Sequence, residues 1–401
     1  VEQDSYIRRG TGLYVRANLA LFIAGFVTFS TLYTFQPLFP ILVEYFRVSP
    51  ASASLTLSVS TFALAWMLPI SGSISDSFGR RKLMGLALIL TSALSIVCSM
   101  SSTLSGLLAL RLLQGAVLAG VPAVAMAYLN DEMSERAIGP AMGLYIAGNA
   151  CGGMSGRILT SWFVDMFTWQ MSVAIIGGLA LVMSVLFWML LPPSRHFRQQ
   201  DFHLKQLSVS LIGHLRDPGL ICLYLLAFLL MGSFVTVYNY VTFYLLDAPY
   251  NLSQSQVALI FFAYAFGAGG SSMVGGLSER WGRQRLFMCS LLTMGGGLFL
   301  TLAQPLLLII AGIVILTIGF FAAHSLASAW VGTRAPVARA QASSLYLLAY
   351  YLGSSISGTG GGFVWSIWGW NGVVILVASL LVAAAGVIRV LRIIESSVCT
   401  P

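Results

Sequence analysis

Few residues of this 401-residue chain could do chemistry, because 58% of it is apolar and only 8% is charged. Three ionisable side chains sit inside long apolar runs: Arg111, Arg157 and His324. Arginine stays protonated at any physiological pH, so the first two can attract an anion or hold backbone carbonyls but cannot release a proton. His324 can, since an unperturbed imidazole titrates at about pH 6.5. All 13 carboxylates read as loop or helix-end positions. No HExxH, GxSxG or clustered-carboxylate arrangement is present, so hydrolytic and metal chemistry lack a constellation. The only lysines, Lys82 and Lys205, do not follow glycine, and the chain therefore has no phosphate-binding loop for ATP. The chemistry left is proton binding and electrostatic recognition of a small solute. No enzyme activity, cofactor or metal is expected.

The elements that position these residues are membrane helices. A soluble globular chain carries roughly 25% charged residues, and one this poor in charge must have lipid as its main solvent. Runs of about 20 apolar residues are long enough to span a bilayer. Twelve are read, at 17–43, 54–75, 83–101, 104–129, 139–164, 170–191, 219–246, 255–277, 286–303, 306–332, 341–367 and 371–391. A polar, basic leader (1–16) precedes them without a small-residue cleavage site, which argues against a removable signal peptide. The net charge of +8 is explained by topology. With both termini cytoplasmic, nearly all Lys and Arg fall on the inner side, and only Arg47 lies in an outer loop. Nucleic-acid binding therefore needs no hypothesis.

The five cysteines show no CxxC spacing and read as small apolar packing residues. Pro37 and Pro40 near the end of the first span loosen or end that helix, with termination favoured at Pro40. The stretch 192–218 places Leu204, Leu207, Leu211 and Leu215 at helical spacing, which predicts a short amphipathic linker helix on the inner membrane surface. His196, His203 and His214 in that region read as solvated loop residues.

The chain is internally duplicated. Gly72-Ser-Ile-Ser-Asp76-Ser-Phe-Gly79-Arg80-Arg-Lys82 joins the second and third spans, and Gly275-Gly-Leu-Ser-Glu279-Arg-Trp-Gly282-Arg283-Gln-Arg285 joins the eighth and ninth. Leu144-Tyr145, Gly152 and Trp169 recur as Leu345-Tyr346, Gly353 and Trp370. The first pattern resembles motif A of the major facilitator superfamily of secondary transporters. Arg111-Leu-Leu-Gln114-Gly115 resembles that superfamily's motif B. The glycines of the fifth span partly resemble its antiporter motif C, with Gly153 in place of the proline and Arg157 in place of the last glycine. Taken with the opening residues Val1–Gly10 and with Gly319–Ser325, they are similar to the enterobacterial YnfM-type inner-membrane proteins, a drug- and sugar-efflux-like branch.

The resemblance implies a fold and a mechanism. The fold is all-α: twelve transmembrane helices in two pseudo-symmetric six-helix bundles (17–191 and 219–391), followed by a tail (392–401). It implies a monomeric secondary transporter of the bacterial inner membrane that works by alternating access and moves small polar or amphipathic molecules. Proton-coupled efflux is the leading expectation; uptake, exchange or facilitated diffusion of an organic anion or sugar-like solute without proton coupling is the alternative.

In the superfamily, spans 1, 4, 7 and 10 line a cavity. Tyr33, Gln36, Arg111, Gln114, Asn149, Arg157, Tyr238 and Asn239 are then the candidate substrate residues, and His324 the candidate proton carrier. Gly72, Asp76, Gly79, Arg80, Glu279, Gly282 and Arg283 form the candidate gate, with Asp131 or Glu135 as partner of Arg80. Two arginines in the membrane disfavour a cationic substrate. Their alternative role is to clamp neighbouring helix carbonyls or to pair with Asp165.

Overall fold

Apolar periods too long for any surface helix leave the chain one solution in lipid, which is to satisfy every backbone group within helices. The computed structural model describes residues 6–197, 211–335 and 339–398, apart from the side chains of 73, 272–273, 275–276, 278–280, 340 and 397–398. Among them, helices account for all twelve spans. Eight stretches are long and apolar enough to cross a membrane by composition alone. The last of these, Gln341–Ser396, contains two crossings. Spans 5 (Glu135–Met166), 8 (through Ala263–Trp281) and 9 (Arg283–Leu300) are the less apolar ones, diluted by glycine, serine and charged ends.

The two crossings of the last stretch are separated at Gly369, whose φ of 56° and ψ of −143° break a helix otherwise running over Arg339–Val398. The chain folds back there: the atoms nearest Gly372 belong to Val364 and Trp368. Span 11 thus ends, and span 12 begins, at the glycine. The final helix continues to Val398, through most of the stretch read as a tail. Leu204 and Leu207, half of the expected amphipathic linker face, lie outside the described residues.

Span 1 comprises Gly12–Tyr33, a 3₁₀ turn at Gln36–Leu38, and Phe39–Phe46. The expectation that Pro40 ends the helix is therefore corrected. Pro37 lacks an N–H and interrupts the hydrogen-bond ladder, whereas Pro40 lies in the first turn of the new helix, where no N–H is needed. Span 4 is broken as well. Leu104–Leu118 gives way to Pro122–Glu132, with Pro122 opening the second piece.

The described chain forms two units, residues 1–41 with 59–203 and residues 42–58 with 204–401. The second unit thus takes in the hairpin between spans 1 and 2, which the sequence boundaries gave to the first bundle. Within that unit, Ser355 Oγ donates to the Ser58 carbonyl (2.9 Å), Thr359 Oγ1 donates to Ser58 Oγ (2.8 Å), and Gly362 lies against the Ala51 backbone.

In the first unit, span 1 packs on span 5 with backbone against backbone. A Cβ placed at Gly148, Gly152 or Gly156 would fall 2.4, 2.2 or 2.6 Å from backbone atoms of Phe22, Phe26 or Ser30. This is the small-residue seam that lets membrane helices approach closely. The second unit repeats it between spans 7 and 11, where a Cβ at Gly353 would fall 2.1 Å from the Phe228 carbonyl oxygen. One pair has exchanged sides. Gly156 faces Ser30 in the first unit, while in the second Ser357 faces Gly232.

Candidate functional site

The break in span 1 creates the first site. The last helical bond before the break runs from the Thr34 N–H to the Ser30 carbonyl, which leaves the Thr31 and Leu32 carbonyls beyond the ladder. Arg111 of span 4 donates to both, Nη1 to Thr31 at 3.2 Å and Nη2 to Leu32 at 2.7 Å. Its guanidinium also donates to Gln114 Oε1 and lies 4.7 Å from the Phe35 ring centre. Gln114 in turn donates to the Thr91 carbonyl (3.0 Å) and Ser95 Oγ (2.7 Å) of span 3. A cation at the carbonyl end of a helix is favourable, and a planar fork can reach two oxygens at once. Arg111 and Gln114 thus tie spans 1, 3 and 4 together. Gly115 completes the junction, since a Cβ there would lie 2.1 Å from the Ser60 carbonyl oxygen of span 2.

The second cluster lies between spans 5 and 1. Arg157 Nε donates to Gln36 Oε1 at 2.5 Å, and Nη1 donates to the Gly153 carbonyl at 2.7 Å. The guanidinium lies 3.8 Å from the centre of the Tyr33 ring. Gln36 occupies the 3₁₀ turn, so the break that frees carbonyls for Arg111 also turns a polar amide towards Arg157. Arg157 is only 1% exposed. Tyr33, Gln36 and Arg157, scattered in sequence, form one group. Asn149 is not part of it: its Oδ1 would meet a Cβ at Gly25 at 2.2 Å, which places it in the span 1–span 5 seam.

The first glycine turn has the geometry its sequence demands. Gly79 takes φ of 94°, a conformation other residues rarely adopt, and starts span 3 immediately after span 2. Arg80 then pairs with Asp76 (3.2 Å), donates to Asp131 Oδ2, and reaches Ser75 Oγ (3.2 Å). Asp131 is its partner at the end of span 4; Glu135 stands in the first turn of span 5 without an ion pair to Arg80 among the described residues. Partial burial raises the Asp76 carboxyl above the usual aspartate value, Arg80 opposes this, and Asp131 adds to it. A Cβ at Gly72 would meet nothing within 4 Å.

The second glycine turn is built differently. Gly282 repeats the positive φ, at 79°. Arg283, however, donates to the Thr333 hydroxyl (2.7 Å), because at the end of span 10 the sequence has Thr333-Arg334 in place of an acid. Arg334 turns instead to Asp217, the cap of span 7, at 2.9 Å, and to Glu395 at 3.8 Å. Glu395 also accepts from Trp330 Nε1 (2.9 Å) and Gln284 Nε2 (3.1 Å). Burial alone would raise the Asp217 carboxyl, but bonds from Arg334 and from the Leu220 and Gly219 amides outweigh it and hold it below the usual range. The Glu279 side chain lies outside the described residues. The sequence reading missed this Asp217–Arg334–Glu395 network, whose only signal was a charge reversal between the two halves.

His324 of span 10 bonds through Nδ1 to the Tyr346 hydroxyl of span 11 (2.9 Å) and lies among the Phe320 and Tyr350 rings. Tyr238 and Thr317 hydroxyls share a hydrogen bond of 2.8 Å between spans 7 and 10. Asn239 is buried beside span 11, with Nδ2 at 3.0 Å from where a Cβ of Gly358 would stand. His196 departs from the sequence expectation of a solvated loop residue. It bonds to the buried Glu132 (3.3 Å) and stacks on Tyr6 at 4.1 Å, and the Ile7 N–H donates to the Glu132 carbonyl (2.8 Å).

Two halves of six membrane helices, each with a positive-φ glycine turn, an arginine after it and a glycine seam, define a secondary-transporter fold. The Major Facilitator Superfamily profile matches residues 21–248 and 241–397, and the chain belongs to that family. It is 45% identical to the inner membrane transport protein YnfM of Escherichia coli, over 96% of this chain and 92% of that protein. It is 43% identical to the MFS-type transporter YybF of Bacillus subtilis, over 95% of this chain and 94% of that one. In fold it matches a bacterial homologue of the human lysosomal transporter Spinster, with a TM-score of 0.77, 15% identity, and 96% and 98% of the two chains covered. The nucleoside transporter NupG also scores 0.77, at 15% identity over 94% and 99%. The protein is a multi-pass membrane transporter for small molecules and not an enzyme.

Proposed function

We propose that this transporter exports small polar or amphipathic molecules across the bacterial inner membrane in exchange for protons, by alternating access. The observation that carries the reading is the His324–Tyr346 pair. It joins a histidine of span 10 to a tyrosine of span 11, and by the sequence-read spans His324 is the histidine that lies within a span. Protonating His324 from one side of the membrane changes a charge between spans 10 and 11. A proton can drive transport only by favouring one cavity orientation over the other, and a charge at a helix contact can do that. Asp76, Arg80 and Asp131 serve as the gate at the basic ends of spans 2 to 4. Tyr33, Gln36 and Arg157 recognise the cargo.

Arg157 favours a second reading on substrate and coupling. A buried, permanent cation prefers an anion or a neutral polar solute, so uptake, exchange or facilitated diffusion of an organic anion is the alternative. In support, a benzoate transport protein of Acinetobacter baylyi is 26% identical over 160 residues. An antiporter of Candida albicans, 27% identical over 175 residues, supports exchange.

One experiment separates the readings. Flux of fluorescent and radiolabelled small molecules is followed in proteoliposomes under imposed pH gradients of both signs, with the native protein and His324→Gln. Proton exchange predicts that the gradient accelerates native flux and that the variant loses this response while retaining downhill flux. Equal responses in both proteins refute His324 as the carrier.

A further inference from the structure

The arginines at the basic ends of the helices fall into two kinds. Some have a partner in the protein: Arg80 has Asp131, Arg81 the Trp188 carbonyl (2.7 Å), Arg283 has Thr333 and Arg334 has Asp217. Arg285, Arg389 and Arg392 do not; none of them forms a hydrogen bond or ion pair with another described residue. All three are exposed, and all three line one groove of about 490 Å³ between the first turns of span 9 and the last turns of span 12. Arg389 and Arg392 are three residues apart on their helix and so share a face. The rest of the lining is largely apolar and includes Trp281, Met288 and Ile388, with Trp281 58% exposed. Glu395, one turn beyond Arg392 on the same helix, is already engaged by Arg334, Trp330 and Gln284.

We infer that this groove binds an anionic phospholipid, with the phosphate of its headgroup held by Arg285, Arg389 and Arg392 and its acyl chains laid along Trp281 and Met288. Three guanidinium groups in one groove, without a partner among the described residues, offer an anion more than a single contact, and guanidinium groups bind phosphate oxygens in pairs. The apolar part of the lining selects a lipid over free phosphate, because a soluble anion would leave that surface unused. The position fits as well. By the positive-inside rule these helix ends face the cytoplasm, where the leaflet is anionic and basic pockets between spans recruit lipid headgroups. The occupied groove joins span 9 to span 12 beside the Gln284–Glu395 bond, so the lipid stabilises the same junction.

The test uses delipidated full-length protein and native mass spectrometry, with phosphatidylglycerol competing against phosphatidylcholine. Native protein is expected to retain the anionic lipid preferentially. Arg285→Gln, Arg389→Gln and Arg392→Gln each lower that preference by about five-fold, and the triple variant abolishes it. Arg392→Gln, close to the end of the last helix, serves as the readout should the triple variant fail to fold. Addition of glycerol phosphate or inorganic phosphate is expected to leave the bound lipid in place. Equal preference for the anionic lipid in native and Arg392→Gln proteins overturns the site. Displacement by free phosphate at concentrations matching the lipid overturns the assignment to a lipid.

Discussion

Replacing Arg111 by Met tests whether this residue holds the broken span together or serves the cargo. The substitution keeps the apolar stem and removes the fork. It leaves the Thr31 and Leu32 carbonyls and Gln114 Oε1 without a donor that is present in the native protein. An unsatisfied buried group costs about 1–3 kcal/mol in water-soluble proteins, which puts two carbonyls at about 2–6 kcal/mol. Interhelical bonds within membranes average only about 0.6 kcal/mol, because the separated helices find other partners. The two bonds from Arg111 to span 1 give about 1 kcal/mol as a floor. A loss near 3 kcal/mol, read as a fall of roughly 5 °C or more in melting temperature, is therefore expected in detergent without substrate. Arg111→Lys should recover part of it at most, since an ammonium cannot span both carbonyls in one plane. The assay is thermal unfolding of the purified variants, run beside flux on the same preparations. A normal melting temperature for Arg111→Met together with abolished flux would refute the clamp and return Arg111 to the cargo site.

Two further outcomes follow from the geometry. Gly152→Ala places a Cβ 2.2 Å from the Phe26 carbonyl oxygen, and Gly143→Ala places one with nothing within 4 Å. The first should cost about 1–3 kcal/mol by overpacking and the second should gain up to about 1 kcal/mol in helix propensity, so opposite shifts in melting temperature are expected. The Asp217 carboxyl is held below its usual value by Arg334 and backbone amides. Its stabilisation is present above the unfolded aspartate value of 3.8 and is lost as pH falls through the lower folded value. Arg334→Gln should therefore lower stability near neutral pH by about 1 kcal/mol or less, as for other part-exposed pairs. It should also flatten the acid limb of a melting-temperature profile, and an unchanged acid limb would show that the pair contributes nothing.

Sequence alone determined the solvent, the number of spans and the duplication, because each is written in local composition. A run of apolar residues such as 219–246 can be nothing but a membrane helix, and Gly79 and Gly282 mark tight turns wherever they fall. It also supplied the members of the candidate clusters, since a charge inside an apolar run stands out by its cost. Tertiary structure decided which residues meet. Tyr33, Gln36 and Arg157 are joined only because Pro37 interrupts span 1 and turns Gln36 towards span 5, while Asn149, equally polar in sequence, is spent in the glycine seam. Arg111 and Arg157 look alike in sequence and both lie against a ring, yet one caps the span 1 carbonyls freed by that break and the other binds the Gln36 side chain and the Gly153 carbonyl of its own helix. The Asp217–Arg334–Glu395 network was hidden because its members lie at three distant helix ends, brought together by the packing of spans 7, 10 and 12. Long-range partners of this kind leave no periodicity in the chain, and only the distances between helices fix them.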